Sequence, residues 1–228
     1  VIVHGGGNDI NKWLTKVGIK SNFKNGLRVT DKETLEVAEM VLSGKINKGL
    51  VQHMERIGTH AVGLSGKDGN LITVKKALPK GEDIGYVGEI INVDINLIET
   101  LLEKDYTPII STIGLDSKYN AYNINADDVA TAVARGLKAS KLVFLTDIEG
   151  VLKDPNDPST LISVIDTKSA KELFEQGVIT GGMIPKLKNC LDAVQEDVKK
   201  VHILDGRLEH SLLIEIFTTN GVGTEIKK

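Results

Sequence analysis

The chain has 228 residues, 41% of them hydrophobic and 26% charged, enough to bury a substantial core as one large or two small domains. A formal net charge of −3 leaves no basic excess for a phosphodiester backbone, and 4% aromatic residues offer few stacking platforms, so nucleic acid is not an expected partner. No apolar run approaches the ~18 residues that span a bilayer, no charged-then-apolar leader precedes Val1, and one cysteine cannot form an intrachain disulfide, so a cytoplasmic protein without a membrane partner is expected.

Val1-Ile2-Val3-His4 reads as the end of a strand and runs directly into Gly5-Gly6-Gly7. Glycines in that place let the backbone approach a ligand with no Cβ in the way, and a following helix points free N–H groups at negative charge. The same residues also suit a plain strand-to-helix turn. Ile10, Trp13, Leu14 and Val17 recur at helical spacing and stop at Gly18, and two more helices are predicted over Leu35–Leu42 and Leu50–Ile57. Asn25-Gly26 is a turn dipeptide followed by Arg28 between Leu27 and Val29. An arginine so placed is either stacked on the surface or aimed as a bidentate clamp at a carboxylate.

His60–Leu64 reads as a short buried strand, and the period-two stretches Leu71–Val74 and Tyr86–Ile90 predict an inserted hairpin. Asp94 is expected to cap a helix through Leu102, followed by a strand at Pro108–Ser111, a helix over Ala126–Leu137 and a strand at Leu142–Leu145. Polar residues crowd the start of the Ala126 helix: Asn125 suits an N-cap and Asp127 a first-turn carboxylate, which leaves Asn123 unexplained. Helices near Ser169–Gln176 and Met183–Val194 come next, the second opened by Gly181-Gly182 and carrying Lys186 in its first turns. Cations are disfavoured at a helix N-terminus, so Lys186 implies a negative partner, either Asp127 or a phosphate. A strand at Val201–Leu204, a helix over His210–Phe217 and a short strand within Val222–Ile226 close the chain. Cys190, spaced with Leu187, Leu191 and Val194, reads as a buried hydrophobe, and the five histidines lack metal-ligand spacing.

Alternating strands and helices with near-continuous apolar strands predict an α/β fold, a three-layer αβα sandwich with a mostly parallel central sheet and the hairpin as an insertion. A soft boundary near Leu137–Leu142 divides the chain into 1–138 and 139–228. Gly5–Gly7, Gly63–Gly69, Ser111–Gly114 and Asp147–Gly150 all fall at the carboxyl ends of predicted strands, where ligands gather in such folds.

Five strings then occur in one order along the chain: His4-Gly5-Gly6-Gly7, Asn25-Gly26-Leu27-Arg28-Val29-Thr30, Tyr122-Asn123-Ile124-Asn125-Ala126-Asp127, Leu145-Thr146-Asp147-Ile148-Glu149-Gly150-Val151-Leu152 and Gly181-Gly182-Met183-Ile184-Pro185-Lys186. Together they resemble the amino acid kinase family, and within it the branch that acts on N-acetylglutamate in arginine biosynthesis. The resemblance implies transfer of the ATP γ-phosphoryl group to the γ-carboxylate of N-acetyl-L-glutamate, with Mg²⁺ bridging the phosphates. Gly6 and Gly7 would offer N–H groups to the transferring group, Arg28 would hold the substrate's α-carboxylate, and Asn123 would hold its amino acid part. Lys186 would neutralise phosphoryl charge and Asp127 would orient the lysines. Asp147, Ile148, Glu149, Gly150, Val151, Leu152, Val178, Ile179 and Thr180 would form the nucleotide pocket, and the Leu71–Val93 hairpin a lid.

On this resemblance 1–138 is the lobe for acetylglutamate and dimerisation, 139–228 the lobe for ATP, and the protein a homodimer or hexamer. His202, Glu215 and Gly221 resemble the pattern of arginine-inhibited members; they also suit a strand residue, a solvated helix face and a turn. Members acting on carrier-bound aminoadipate, or a non-catalytic amino-acid-sensing module of the same fold, stand as alternatives. The family pattern places a Lys-x-Gly-Gly strand ahead of the glycine turn, this sequence opens after it, and kinase activity is expected to need its lysine.

Overall fold

A computed structural model describes residues 1–228 except Asn25, Pro155, Thr219 and Asn220, so the first residue of the Asn-Gly turn lies outside the described residues. Two units divide the chain, Val1–Val133 and Ala134–Lys228.

In the first unit β1 (Ile2–His4) leads through the glycines into α1 (Gly7–Lys16), whose buried Ile10 and Leu14 sit one turn apart on a single face. A hairpin of β2 (Asn22–Lys24) and β3 (Leu27–Val29) follows and sets Phe23 opposite Arg28. The residue pattern predicts no hairpin here, because three-residue strands are too short to show a period. Asp31 then caps α2 (Lys32–Glu39), its carboxylate accepting the Thr34 N–H at 2.8 Å.

The two helices predicted over Leu35–Leu42 and Leu50–Ile57 are joined without a break. A π-helical turn over Met40–Ile46 carries α2 straight into α3 (Asn47–Arg56). The wider turn puts the apolar pattern out of phase with a 3.6-residue period, which is why the pattern reads as two helices.

β4 (Ala61–Ser65), β5 (Ile72–Lys76), β6 (Gly88–Val93), α4 (Asn96–Glu103), β7 (Thr107–Ser111), β8 (Ile113–Leu115), β9 (Ala121–Asn123) and α5 (Ala126–Gly136) follow, α5 running across the division between units. The sheet β1-β7-β4 is parallel throughout, with His4, Ser111 and Ser65 in register at its carboxyl edge. A second sheet, β6-β5-β8-β9, contains the expected antiparallel hairpin, with a bulge between Thr73 and Val74. Its second strand starts at Gly88 rather than Tyr86. The preceding residues are held elsewhere: the Thr30 N–H donates to the Ile84 carbonyl at 2.9 Å and the Asn123 N–H to the Tyr86 carbonyl at 3.0 Å. Asp94 does not cap α4. The helix begins after Ile95, and the Asp94 carboxylate accepts the Asn96 N–H at 3.1 Å in a turn. Ile10, Leu14, Leu35, Ala38, Val41, Leu42 and Ile113 form the core under α1 and α2.

The second unit contains β10 (Lys141–Thr146), β11 (Val164–Ile165), α6 (Thr167–Glu175), α7 (Met183–Gln195), β12 (Lys200–Asp205), α8 (Ser211–Phe217) and β13 (Thr224–Ile226). Its sheet runs β10-β12-β13-β11, with β10 and β12 parallel, β12 and β13 antiparallel, and β13 and β11 parallel. Leu187, Cys190 and Val194 of α7 are fully buried. The chain is thus mixed α/β with parallel strand cores. No helix among the described residues is long and apolar enough to cross a membrane.

Candidate functional site

The carboxyl edge of the parallel sheet in the first unit opens into a cavity of about 180 Å³ lined by Gly5–Gly7, Gly26, Arg28, Thr112, Asn123 and Asn125 among others. Gly6 is demanded by close approach: a Cβ there would collide with Ile46 and sit 2.9 Å from a methyl of Leu42. The π-helical turn therefore packs directly against the Gly6 backbone. Helix α1 opens at Gly7 with its first N–H groups at this edge.

Arg28 is 7% exposed, which settles the choice between a surface and a buried arginine. Its Nη1 donates to Asn11 Oδ1 at 2.7 Å and to Ser21 Oγ, its Nη2 donates to the Gly7 carbonyl at 3.2 Å, and the guanidinium stacks on Phe23 at 4.7 Å. All three acceptors are uncharged. Burial pushes the guanidinium below its ordinary pKa, yet an arginine stays charged. The result is a fixed, desolvated cation at a small cavity.

Asn125 caps α5: its Oδ1 accepts the N–H groups of Asp127 at 2.9 Å and Asp128 at 3.3 Å. Capping thus explains Asn125 and the first-turn place of Asp127. It leaves Asn123, at the end of β9, lining the cavity.

The second unit has its own cavity, of about 440 Å³, at the carboxyl end of β10. Asp147–Leu152, Val178–Thr180, Gly182, Met183 and Lys186 line it, a mostly apolar wall with a lysine in the first turns of α7. Lys186 Nζ lies 5.0 Å from the centre of the Phe144 ring. Elsewhere in this unit, His202 on β12 and Glu215 on α8 meet at 2.8 Å, with side chains only 3% and 6% exposed. The other Glu215 oxygen accepts the N–H groups of Val222 at 2.8 Å and Gly223 at 3.3 Å, and a Cβ on Gly221 would collide with it. Glu215 is therefore buried, and the reading of it as a solvated helix residue is incorrect; α8 turns it toward β12 instead.

The sequence profile described as "Amino acid kinase family" matches residues 1–205. The chain belongs to this family. It is 53% identical, over all of its length and 76% of the relative's, to the acetylglutamate kinase of Caldanaerobacter subterraneus subsp. tengcongensis. Among solved structures, this amino acid kinase chain is similar to a protein of Streptococcus mutans UA159 at 31% identity and TM-score 0.84, covering all of this chain and 85% of that one. It is also similar to N-acetylglutamate synthase of Neisseria gonorrhoeae, solved with coenzyme A and N-acetyl-glutamate, at 26% identity and TM-score 0.85, covering all of this chain and 51% of that one. The fold is therefore that of the amino acid kinases.

For this family member, structure brings Gly6, Gly7, Arg28 and Asn123 to one cavity, and Asp147–Leu152, Val178–Thr180 and Lys186 to another. Asp127 lies on α5 in the first unit, Lys186 on α7 in the second. Three polar residues with long-range partners near the first cavity escape the motif strings: Asn11 and Ser21, which accept from Arg28, and Asn47, which donates to His4. Asn11 and Ser21 sit on exposed-looking polar stretches with no local signal. Asn47 does have one, a polar residue between Ile46 and Leu50 on a helix whose other inward positions are apolar.

Proposed function

We propose that the protein is an acetylglutamate kinase, transferring the γ-phosphoryl group of ATP to the γ-carboxylate of N-acetyl-L-glutamate to give N-acetyl-L-glutamyl 5-phosphate for arginine biosynthesis. The identity to relatives of that name over the whole chain supports the activity. The observation that carries the substrate is Arg28: a buried guanidinium with only neutral acceptors, beside a cavity on the scale of one amino acid derivative, suits an α-carboxylate.

In this reading Asn123 holds the amide part of the substrate, and the Gly6 and Gly7 N–H groups face the phosphoryl acceptor. The larger cavity takes the nucleotide: Val151, Val178, Ile179 and Met183 offer an apolar slot for a base, and Lys186 offers a cation for phosphate oxygens. Mg²⁺ would supply charge neutralisation on the phosphates themselves, a mode of binding that asks few ligands of the protein. Asp127 is assigned to orienting cations at the transfer site. In this division of labour residues 1–138 serve acetylglutamate and 139–228 serve ATP.

The reading extends to a cytoplasmic homodimer or hexamer inhibited by L-arginine at His202, Glu215 and Gly221, where a buried carboxylate supplies the charge a guanidinium seeks. The deciding experiment, on protein made from the full reading frame, is ADP release from ATP and Mg²⁺ on adding N-acetyl-L-glutamate, with hydroxylamine trapping the acyl phosphate and aminoadipate offered in parallel. No stimulation by N-acetyl-L-glutamate overturns the assignment, and stimulation by aminoadipate alone moves it to another branch of the family.

A further inference from the structure

The imidazole of His4 bridges two groups whose chemistry leaves it one tautomer. Its Nδ1 lies 3.0 Å from the Gly5 carbonyl, which can only accept, so Nδ1 carries the hydrogen. Its Nε2 lies 3.1 Å from the amide nitrogen of Asn47, which can only donate, so Nε2 is the acceptor. The Asn47 amide has no freedom to flip, because the same nitrogen gives one hydrogen to the Ile109 carbonyl at 2.8 Å and shares the other between His4 Nε2 and the more distant Leu64 carbonyl at 3.3 Å, and an oxygen in its place would face both carbonyls. Asn47 is 1% exposed and stands where the π-helical turn meets α3, reaching under β1, β4 and β7 at once. Among the described residues no donor reaches its buried Oδ1. A buried amide that leaves one of its own atoms unpaired is a costly way to pack a sheet, which points to a purpose other than stability.

That purpose follows from the planarity of the peptide bond. The Gly5 carbonyl and the Gly6 N–H belong to one trans peptide plane and point in opposite directions. Fixing the carbonyl therefore fixes the direction of the N–H. We propose that Asn47 and His4 are positioning residues for phosphoryl transfer: Asn47 fixes which ring nitrogen carries the hydrogen, and the Nδ1–H of the ring holds the Gly5–Gly6 peptide so that the Gly6 N–H faces the transferring group. The proposal rests on the kinase reading for its consequence, though not for its geometry. The glycine turn itself has no side chain to hold it, so its aim must come from neighbours.

Two substitutions of His4 separate the two bonds. His4→Asn keeps an N–H donor near the place of Nδ1 and loses the acceptor toward Asn47; His4→Gln keeps an acceptor near Nε2 and loses the bond to Gly5. Steady-state kinetics on the full protein should show kcat about 100-fold lower in His4→Gln, with KM for ATP and for N-acetyl-L-glutamate nearly unchanged, and His4→Asn within about tenfold of wild type. Equal losses in both variants, no loss in either, or losses confined to KM would overturn the proposal. Nitrogen chemical shifts of the His4 ring, which need no substrate, should report the Nδ1–H tautomer in the unsubstituted protein; the Nε2–H tautomer would overturn it independently. A wild-type protein that shows this tautomer but no turnover of N-acetyl-L-glutamate would sink the kinase assignment and the catalytic consequence of the bridge, leaving the bridge itself intact.

Discussion

Arg28 donates from Nη2 to the carbonyl of Gly7 at 3.2 Å, so the cation on β3 is tied to the turn that opens α1. The clamp proposed for the substrate and the cradle proposed for the transferring group are thus one connected piece. Asn11 and Ser21 complete the tie from α1 and the residue before β2.

Replacing Arg28 by lysine keeps the charge but loses the planar fork that satisfies three acceptors and, in the proposed role, a carboxylate as well. Arg28→Lys should raise KM for N-acetyl-L-glutamate about tenfold or more while kcat falls much less. Initial-rate kinetics at varied substrate decide it, and an unchanged KM would show that Arg28 does not contact the substrate.

Lys186 sits at the phosphate end proposed for the nucleotide cavity, where its charge matters most as negative charge shifts during transfer. Lys186→Ala should lower kcat about 100-fold with little change in KM for the amino acid. A change in KM for N-acetyl-L-glutamate alone would contradict this role.

The His202–Glu215 pair is buried, and Glu215 also receives two backbone N–H groups. Glu215→Ala strands all three partners and should cost about 3 kcal/mol in denaturant unfolding. The same variant should abolish any rise in melting temperature produced by L-arginine. A loss below about 1 kcal/mol would mean that water reaches the pair in solution.

Burial is the larger influence on His4 and lowers its pKa below the ordinary 6.5, with the bond to Gly5 opposing. Between the folded value and 6.5 the unfolded chain binds more protons than the native one, so stability rises with pH there. Acidification from neutrality should therefore destabilise the protein as pH falls through about 6.5, an effect that levels off below the folded pKa. The difference between wild type and His4→Asn in unfolding midpoint, measured from pH 7.5 to 5, isolates it; parallel curves would count against a buried neutral ring.

Much of the site is legible in the order of residues alone. The His4–Gly7, Leu27–Thr30, Tyr122–Asp127 and Gly181–Lys186 strings each combine backbone freedom with a charge or amide at fixed offsets, and local order is enough to recognise them. Arg28 shows where this stops. Its flanking residues allow a surface place or a buried one, and only the packing of β2–β3 against α1 removes the first. Asn47 shows it more sharply, since its partners are His4, Leu64 and Ile109, residues on three different strands.

The α/β alternation, the position of nearly every long helix and strand, and the family are all written in the amino-acid sequence, because hydrophobic period and motif spacing are properties of neighbours along the chain. Tertiary packing set the π-helical junction at Met40–Ile46, the burial of Arg28 and Glu215, and the tautomer of His4. Each depends on which groups distant in sequence are brought within hydrogen-bonding or van der Waals distance, and no local period encodes that.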